Sequence, residues 1–303
     1  MKLLKNCKLC PRQCGVNRQA GMSGYCGATA KVTIARASLH MWEEPCISGI
    51  NGSGTVFFTG CPLKCVFCQN REIAIGSIGI EISIERLSEI FLELQKKGAH
   101  NINLVTPTHY VIQIVEALKM AKKNGLSVPI VYNTGSYEKV ETLRLLEGLV
   151  DIWLPDCKYY DKELAARYSN ASDYFDVANT AIAEMVRQAG EPVFEEGLMK
   201  RGVIVRHMIL PGKTRDSRRI IEELNKQYGD MIYISIMNQY TPLPQMENFP
   251  EINRRVTKRE YDKVVDYAIS VNIENAFIQE GETAKESFIP DFLSGIGIVK
   301  QEE

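Results

Sequence analysis

Between about residues 54 and 278, short apolar runs alternate with longer segments in which apolar residues recur at helical spacing. Short runs rich in valine and isoleucine are typical of buried strands. The pattern therefore predicts strands at residues 54–59, 102–105, 128–133, 150–154, 203–210 and 232–236, with 275–278 as a further one.

The segments between these runs have the periodicity of amphipathic helices. In the first segment, Ser83 is a suitable N-cap and Gly98 a suitable residue just past the end. Its apolar residues recur at i, i+3, i+4 and i+7, namely Leu87, Ile90, Phe91 and Leu94. Further helices are predicted at residues 111–118, 138–149, 174–188, 217–228 and 258–270.

Strand–helix alternation indicates parallel strands joined by right-handed crossovers. We therefore predict an α/β fold, a partial (β/α)6-type barrel of parallel strands, with a doubly wound open sheet as the competing arrangement. The first 50 residues are instead dense in cysteine, glycine and basic residues. The expected organisation is a cysteine-rich lobe at 1–50, the partial barrel at 51–285 and a C-terminal tail at 286–303.

Composition narrows the class of protein. Of 303 residues, 45% are hydrophobic and 24% charged, which suits a packed globular chain and excludes collagen-like or disordered architectures. The net charge of -1 leaves nucleic-acid binding unsupported. No apolar run approaches the roughly 18–20 residues that cross a bilayer, and the N-terminus lacks the apolar region of a signal peptide. We therefore expect a cytoplasmic protein without a membrane partner.

The nine cysteines are unevenly distributed, because eight of them precede residue 70. Cytosolic thiols stay reduced, so this clustering predicts metal or cluster ligands rather than disulfides. An odd number of cysteines also disfavours a complete disulfide framework.

Three cysteines, Cys61, Cys65 and Cys68, directly follow the first predicted strand. The carboxyl ends of parallel strands carry the chemistry of β/α barrels. Three thiolates on one loop can bind three irons of a 4Fe–4S cube, whereas ordinary electron-transfer clusters take four cysteines. The spacing thus leaves one iron open to a substrate or cofactor.

This motif, with Phe67 just before its last cysteine, resembles that of the radical S-adenosylmethionine (SAM) superfamily. Gly60 and the pair Gln69 and Asn70 are similar to the pyruvate formate-lyase activating enzyme branch. The resemblance implies that the amino and carboxylate groups of SAM chelate the open iron. It implies reductive cleavage to methionine and a 5′-deoxyadenosyl radical that abstracts hydrogen, the chemistry of an activating-enzyme-like oxidoreductase.

The resemblance also assigns SAM-binding roles to residues at later strand ends. Where the family has Gly-Gly-Glu, this chain has no carboxylate, so the hydroxyls of Thr106 and Thr108 or backbone carbonyls would take that role. Asn133 replaces an aspartate that helps to hold a cation beside SAM. Arg206 has the fork geometry that suits the SAM carboxylate. The full expected set is Phe67, Thr106, Thr108, Asn133, Thr134, Asp156, Lys158, Arg206 and Tyr240.

Four further cysteines form a candidate second site near the N-terminus. Cys7, Cys10, Cys14 and Cys26 have two, three and eleven residues between them. Four thiolates can close a tetrahedral zinc site or bind an auxiliary 4Fe–4S cluster. The sequence leaves both alternatives open.

Several functions remain open at this stage. The radical could activate a protein such as a glycyl radical enzyme, or modify a peptide or small metabolite. An iron–sulfur electron-transfer protein without SAM chemistry would need a fourth ligand, for which Cys46 and Cys157 are candidates. A zinc-stabilised binding module is the third class. The family further implies a low-potential flavodoxin or ferredoxin as electron donor.

Overall fold

The computed structural model describes residues 2–279, 292 and 295–299. One ten-stranded sheet organises these residues. Its strands in chain order are β1 Val32–His40, β2 Ser53–Phe58, β3 Ile80–Ile82, β4 Ile102–Val105, β5 Ile130–Thr134, β6 Ile152–Pro155, β7 Val193–Glu195, β8 Leu198–Met208, β9 Tyr233–Met237 and β10 Ala276–Ile278.

The sheet runs in the order β10-β9-β8-β6-β5-β4-β2-β1-β3, with β7 beside β8. Along this order the strands from β2 to β10 pair in parallel. β1 is antiparallel to both β2 and β3, and β7 is antiparallel to β8. From β2 onward the spatial order follows the chain without the reversal of a doubly wound sheet. Among the described strands the two ends, β10 and β3, do not pair, so the predicted partial barrel is confirmed.

Nine α-helices accompany the strands in the described part of the chain. They are α1 Pro45–Ser48, α2 Arg71–Ala74, α3 Ile84–Lys96, α4 Val111–Lys123, α5 Val140–Leu143, α6 Lys162–Ser169, α7 Tyr174–Ala189, α8 Thr214–Tyr228 and α9 Lys258–Ser270. Ser83 accepts a hydrogen bond from the Arg86 amide at 3.1 Å and caps α3, as its sequence predicts.

The helix predicted at residues 138–149 is wrong over much of its length. Only Val140–Leu143 is α-helical, and a 3-10 turn, Arg144–Leu146, follows. The Glu138 side chain is occupied by the hydroxyls of Thr108 and Thr134, each at 2.6 Å, so it does not serve a helix start. The helix therefore begins at Val140, later than predicted, and the helical segment ends at Leu146.

Sheet pairing crosses the predicted boundary near residue 50, because β1 pairs with β2 from Ile34↔Phe58 to His40↔Ser53. This boundary remains a prediction, and most of the predicted tail at 286–303 lies outside the described residues. No helix in the described part of the chain has the length and apolarity needed to span a membrane.

Candidate functional site

A cavity of about 250 Å3 lies at the carboxyl edge of the parallel strands. The loop after β2 contributes Cys61, Cys65 and Cys68 to its wall. The ends of β4, β5, β6 and β8 contribute the other polar groups, as parallel strands bring their carboxyl ends to one edge. The predicted residues that line the cavity are Phe67, Thr106, Thr108, Asn133, Thr134, Asp156, Lys158 and Arg206.

The cysteine loop points hydrogen-bond donors at its sulfur atoms. The amides of Leu63 and Lys64 lie 3.4 and 3.5 Å from Cys61 Sγ, and the Ser169 hydroxyl donates to Cys65 Sγ at 2.9 Å. Lys64 adopts a φ of 53°, the left-handed conformation of a tight turn. Donors to sulfur stabilise negative charge there, so the loop fits thiolates bound to an iron–sulfur cluster.

The pKa values of these thiols determine how binding of a metal or cluster depends on protons. Burial raises the pKa of Cys61 to about 11 and that of Cys68 to about 12, although the Lys158 ammonium group lowers both. Thiols with such pKa values are protonated at neutral pH. Binding of a metal or cluster must therefore release protons, and Lys158 reduces the charge imbalance that results.

Arg206 is the centre of a half-buried charge network on the opposite wall. Its Nε donates to Asp156 Oδ1 at 3.0 Å and its Nη2 to Asn133 Oδ1 at 2.5 Å. Lys158 Nζ donates to the other Asp156 oxygen at 2.5 Å. Burial alone would raise the pKa of Asp156, but Lys158 and Arg206 outweigh it and lower that pKa. Asp156 is therefore ionised and forms ion pairs with both Lys158 and Arg206.

Glu43 is a functional candidate that the sequence analysis missed. Its Oε2 accepts from Arg206 Nη1 at 3.2 Å, and its Oε1 accepts from Asn103 Nδ2 at 2.9 Å. Burial raises its pKa, and Arg206 opposes that rise. Glu43 follows β1, whose antiparallel pairing with β2 carries it to the cavity wall. The chain has no carboxylate directly after β4, and Glu43 of the N-terminal segment places one at the cavity wall instead.

The threonines of the cavity are held by a buried carboxylate. Thr108, Thr134 and Tyr132 all donate hydroxyls to Glu138 Oε1, at 2.6, 2.6 and 3.2 Å. Burial raises the pKa of Glu138 to about 7 despite these donors. Because both threonine hydroxyls donate their hydrogen bond to Glu138, their oxygens can act only as acceptors toward the cavity. Thr134 Oγ1 already accepts one hydrogen bond, from the Ser136 amide at 3.2 Å.

Thr106 stands out by its backbone. Its φ of 57° is in the left-handed region, where a β-branched residue is strained. Its amide donates to the Asn133 carbonyl at 2.9 Å, which ties the turn after β4 to β5. Strain of this kind is concentrated at binding sites.

Tyr240 does not line the cavity. It is buried, its hydroxyl donates to the Ile252 carbonyl at 2.8 Å, and its ring centroid lies 6.0 Å from that of Phe67. Phe67 lines the cavity, and Tyr240 packs against the Phe67 ring without lining the cavity itself. A SAM-binding role for Tyr240 stays a prediction without a cavity contact to support it.

The structure brings the four N-terminal cysteines together around a second, smaller cavity of about 10 Å3. Arg18 and His109 also line it. Cys46 and Cys157, the candidate fourth ligands of a redox carrier, line neither cavity in the described part of the chain. Both are buried, and burial raises their thiol pKa values, so they are small core residues.

The sequence model of the radical SAM superfamily matches residues 55–224, more than half of the chain and all of the strand ends that form the larger cavity up to Arg206. The chain belongs to the radical SAM superfamily. Membership implies an enzyme that uses a 4Fe–4S cluster and SAM. The thiol loop and the charged wall of the cavity fit those two groups.

The radical SAM chain is similar to the uncharacterized protein MJ0674 of Methanocaldococcus jannaschii. The two are 29% identical over 281 residues, which cover 90% of this chain and 77% of that relative.

Two solved structures of Streptococcus suis SuiB share the fold. The structure bound to S-adenosylmethionine has a TM-score of 0.50 and 15% identity, and covers 74% of this chain and 49% of SuiB. The structure bound to the precursor peptide SuiA has a TM-score of 0.50 and 14% identity, and covers 74% and 48%. The radical SAM chain thus spans about half the length of these structures, and the likeness shows the fold alone.

Proposed function

We propose that this radical SAM enzyme binds its 4Fe–4S cluster through Cys61, Cys65 and Cys68 and holds SAM against Arg206 and its partners. One observation carries the proposal: the three thiols and the half-buried charge network line the same cavity. Three ligands leave room for a substrate at the fourth iron. When bound and reduced, the cluster supplies the electron that cleaves SAM.

The cavity wall offers matched groups to the zwitterionic methionine end of SAM. The guanidinium of Arg206 suits a carboxylate, since its fork can donate two parallel hydrogen bonds. Acceptors for an ammonium group are Glu43 and the hydroxyl oxygens of Thr108 and Thr134. Glu43 and Arg206 are paired at 3.2 Å in this structure, so SAM binding would divide that pair between its two charged groups.

We further propose a polypeptide substrate. In support, Trp42 lines the cavity and keeps 54% of its surface exposed, and Met41 beside it is 44% exposed. Aromatic and methionine side chains are enriched where proteins recognise one another. The structural neighbour SuiB has been solved with a precursor peptide. The activating-enzyme resemblance narrows the proposal to a glycine of a partner protein, with a flavodoxin or ferredoxin as reductant.

The first test is SAM cleavage. The protein is reconstituted with iron and sulfide without oxygen, reduced, mixed with SAM and assayed for 5′-deoxyadenosine by chromatography. We expect product from the natural chain and from Cys157→Ala, and none from Cys65→Ala. An intact cluster that never yields 5′-deoxyadenosine, with or without candidate polypeptides, would instead support the electron-transfer function.

A further inference from the structure

The smaller cavity has further features that suit a metal site, besides its four cysteines. Cys10 and Cys26 are buried, Cys7 is half-buried and Cys14 is exposed, so the cavity lies near the surface on one side. The Tyr25 amide donates to Cys14 Sγ at 3.3 Å. Main-chain amides of Arg12 and Ala28 also donate to Cys10 and Cys26. Donors at three of four sulfurs are what thiolate ligands need.

Arg18 places a buried positive charge beside these sulfurs. Its side chain is 1% exposed and donates to the carbonyls of Thr29 and His109, with Cys7 Sγ 3.9 Å from Nη1. Within the described residues no carboxylate lies within 4.0 Å of it. A buried guanidinium without an anion is strongly unfavourable. Metal-bound thiolates at Cys7 and Cys26 would supply that anion.

His109 adds a second unsatisfied group to the same wall. Its Nε2 donates to the Thr59 carbonyl at 2.8 Å, so the proton is on Nε2. Its Nδ1 is buried and has no partner among the described residues. Because His109 lines the cavity, this lone pair could accept a hydrogen bond or bind a metal ion there.

The lobe is also fastened to the loop that carries Cys61, Cys65 and Cys68. Arg12, which lies between Cys10 and Cys14, donates through Nε to the Pro62 carbonyl at 2.9 Å. Its Nη2 donates to the Ser169 carbonyl at 3.0 Å. Ser169 in turn donates its hydroxyl to Cys65 Sγ at 2.9 Å. One arginine thus links the lobe to both sides of the loop.

Tyr25 provides a second contact between the lobe and the loop of Cys61, Cys65 and Cys68. Tyr25, directly before Cys26, donates its hydroxyl to the Leu63 carbonyl at 3.3 Å, and its ring lies 4.2 Å from the Arg12 guanidinium carbon. At Gly60 a Cβ atom would lie 2.5 Å from the Cys26 carbonyl oxygen. Only glycine permits this approach of the two backbones.

We propose that Cys7, Cys10, Cys14 and Cys26 bind a dicationic metal centre, Zn²⁺ or a 4Fe–4S core, that fixes Arg12 and Tyr25 and thereby braces the loop of Cys61, Cys65 and Cys68. Both centres share the chemistry of four thiolates around a charge of about 2+. The bracing half of the proposal rests on the function proposed above. The metal half stands without it.

The side chains must adjust when this centre binds. No three His, Cys, Asp or Glu side chains in the described ranges surround one metal-ion position. The cavity of about 10 Å3 has room for about one water molecule. The sulfurs would therefore have to move to form zinc bonds of about 2.3 Å or to surround the larger cube. Metal binding is thus coupled to ordering of the lobe.

Metal content tests the first half. In the full chain carrying Cys61→Ala, Cys65→Ala and Cys68→Ala, the larger cavity cannot bind its cluster, so any remaining metal belongs to the lobe. We expect about one zinc or about four irons per chain by elemental analysis, and loss of that metal when Cys10→Ala and Cys26→Ala are added. A triple variant that holds neither metal, after purification and after reconstitution with each, overturns the site.

Iron retention tests the second half. Arg12→Gln leaves all four lobe ligands in place and removes the link to Pro62 and Ser169. With a chelator present, we expect the loop cluster of this variant to lose iron about tenfold faster, which corresponds to roughly 1.4 kcal/mol. Arg201→Gln, an exposed arginine in β8, should match the natural chain. Equal rates for Arg12→Gln and the natural chain overturn the brace.

The two halves fail separately. If the natural chain binds no loop cluster, the proposed function fails, yet the triple variant still reports on the lobe. If the natural chain cleaves SAM while the triple variant lacks metal, the function stands and the lobe centre is wrong.

Discussion

The two cysteine sets of this chain differ in ligand number and in the space beside them. The set at Cys61–Cys68 has three thiols on a cavity of about 250 Å3 with a charged wall. The N-terminal set has four thiols around about 10 Å3 and one buried cation, Arg18. Metal sites that catalyse reactions keep an open position, whereas structural sites are closed by protein ligands. Under our proposals the same residue type therefore serves two purposes, and the surroundings of each set decide which.

Matched serine substitutions in the two sets should give the largest contrast. Serine keeps the size of cysteine but is a poor ligand for iron–sulfur clusters. We expect Cys68→Ser to abolish 5′-deoxyadenosine formation, since the loop then has only two ligands. For Cys26→Ser we expect a reduction of about tenfold, because only the brace of roughly 1.4 kcal/mol is lost.

Both variants are compared per chain, with iron counted in the same samples. Two equal losses of activity would break the distinction between a reactive and a supporting set. Thermal melting of each variant excludes a general loss of folding as the cause.

Arg206→Lys tests the charged wall and should have the next largest effect. Lysine keeps the charge but cannot bridge Asp156, Asn133 and Glu43 at once. We expect SAM affinity to fall about 30-fold, or roughly 2 kcal/mol, the loss of one charged hydrogen bond. Equilibrium binding of SAM to the reconstituted enzyme measures it.

Arg201→Lys is the matched control, because it lies on the same strand, β8, and is exposed. If Arg206→Lys binds SAM as tightly as the control does, Arg206 is only part of the scaffold.

Glu138→Gln tests the buried carboxyl group that accepts hydrogen bonds from Thr108 and Thr134. Its pKa is raised from 4.5 to about 7 by burial. A raised pKa gives stability that is complete below pH 4.5 and lost as pH rises through about 7, a loss of roughly 3 kcal/mol. Glutamine cannot ionise, so the variant should lose stability less steeply with pH.

Urea unfolding between pH 5 and 8 measures this difference. If the stability curves of Glu138→Gln and the natural chain run parallel, burial does not raise the pKa of the Glu138 carboxyl, and the prediction is wrong.

Thr106→Gly should have the smallest effect. Glycine relieves the left-handed backbone strain, and we expect the free energy of unfolding to rise by about 1 kcal/mol. SAM affinity should fall by about threefold as a wall hydroxyl is lost. Ser136→Gly is the control, because Ser136 has a φ of 62° but does not line the cavity. An equal change in SAM affinity in both variants would make strain, not contact, the cause.

The sequence predicted the parallel strands well because each is a buried apolar run with a characteristic length. β4 matches its predicted bounds and β10 differs by one residue. It missed β1, where polar and apolar residues mix over Val32–His40, and α6 at Lys162–Ser169, a short helix with little apolar periodicity. The pairing of a strand such as β1 and the formation of a short helix depend on contacts distant in sequence.

The site was predicted where a residue follows a strand end, and missed where it does not. Cys61, Asp156 and Arg206 follow or lie in predicted strands, so their common edge could be inferred. Glu43 follows a strand that was not predicted, and no motif marks it. Its long-range pairing with Arg206, 163 residues away, is visible only once the sheet order is known.

The central claim, that the three-cysteine cluster keeps one iron open for SAM, has a direct test. The reduced, reconstituted enzyme is mixed with SAM labelled with ¹⁵N in the amino group and ¹⁷O in the carboxylate, and hyperfine couplings of the cluster are measured by electron–nuclear double resonance. In a chain with Cys10→Ala and Cys26→Ala, only the loop cluster contributes. We predict couplings to both labels. A cluster that forms there but shows no coupling to either label would contradict the account.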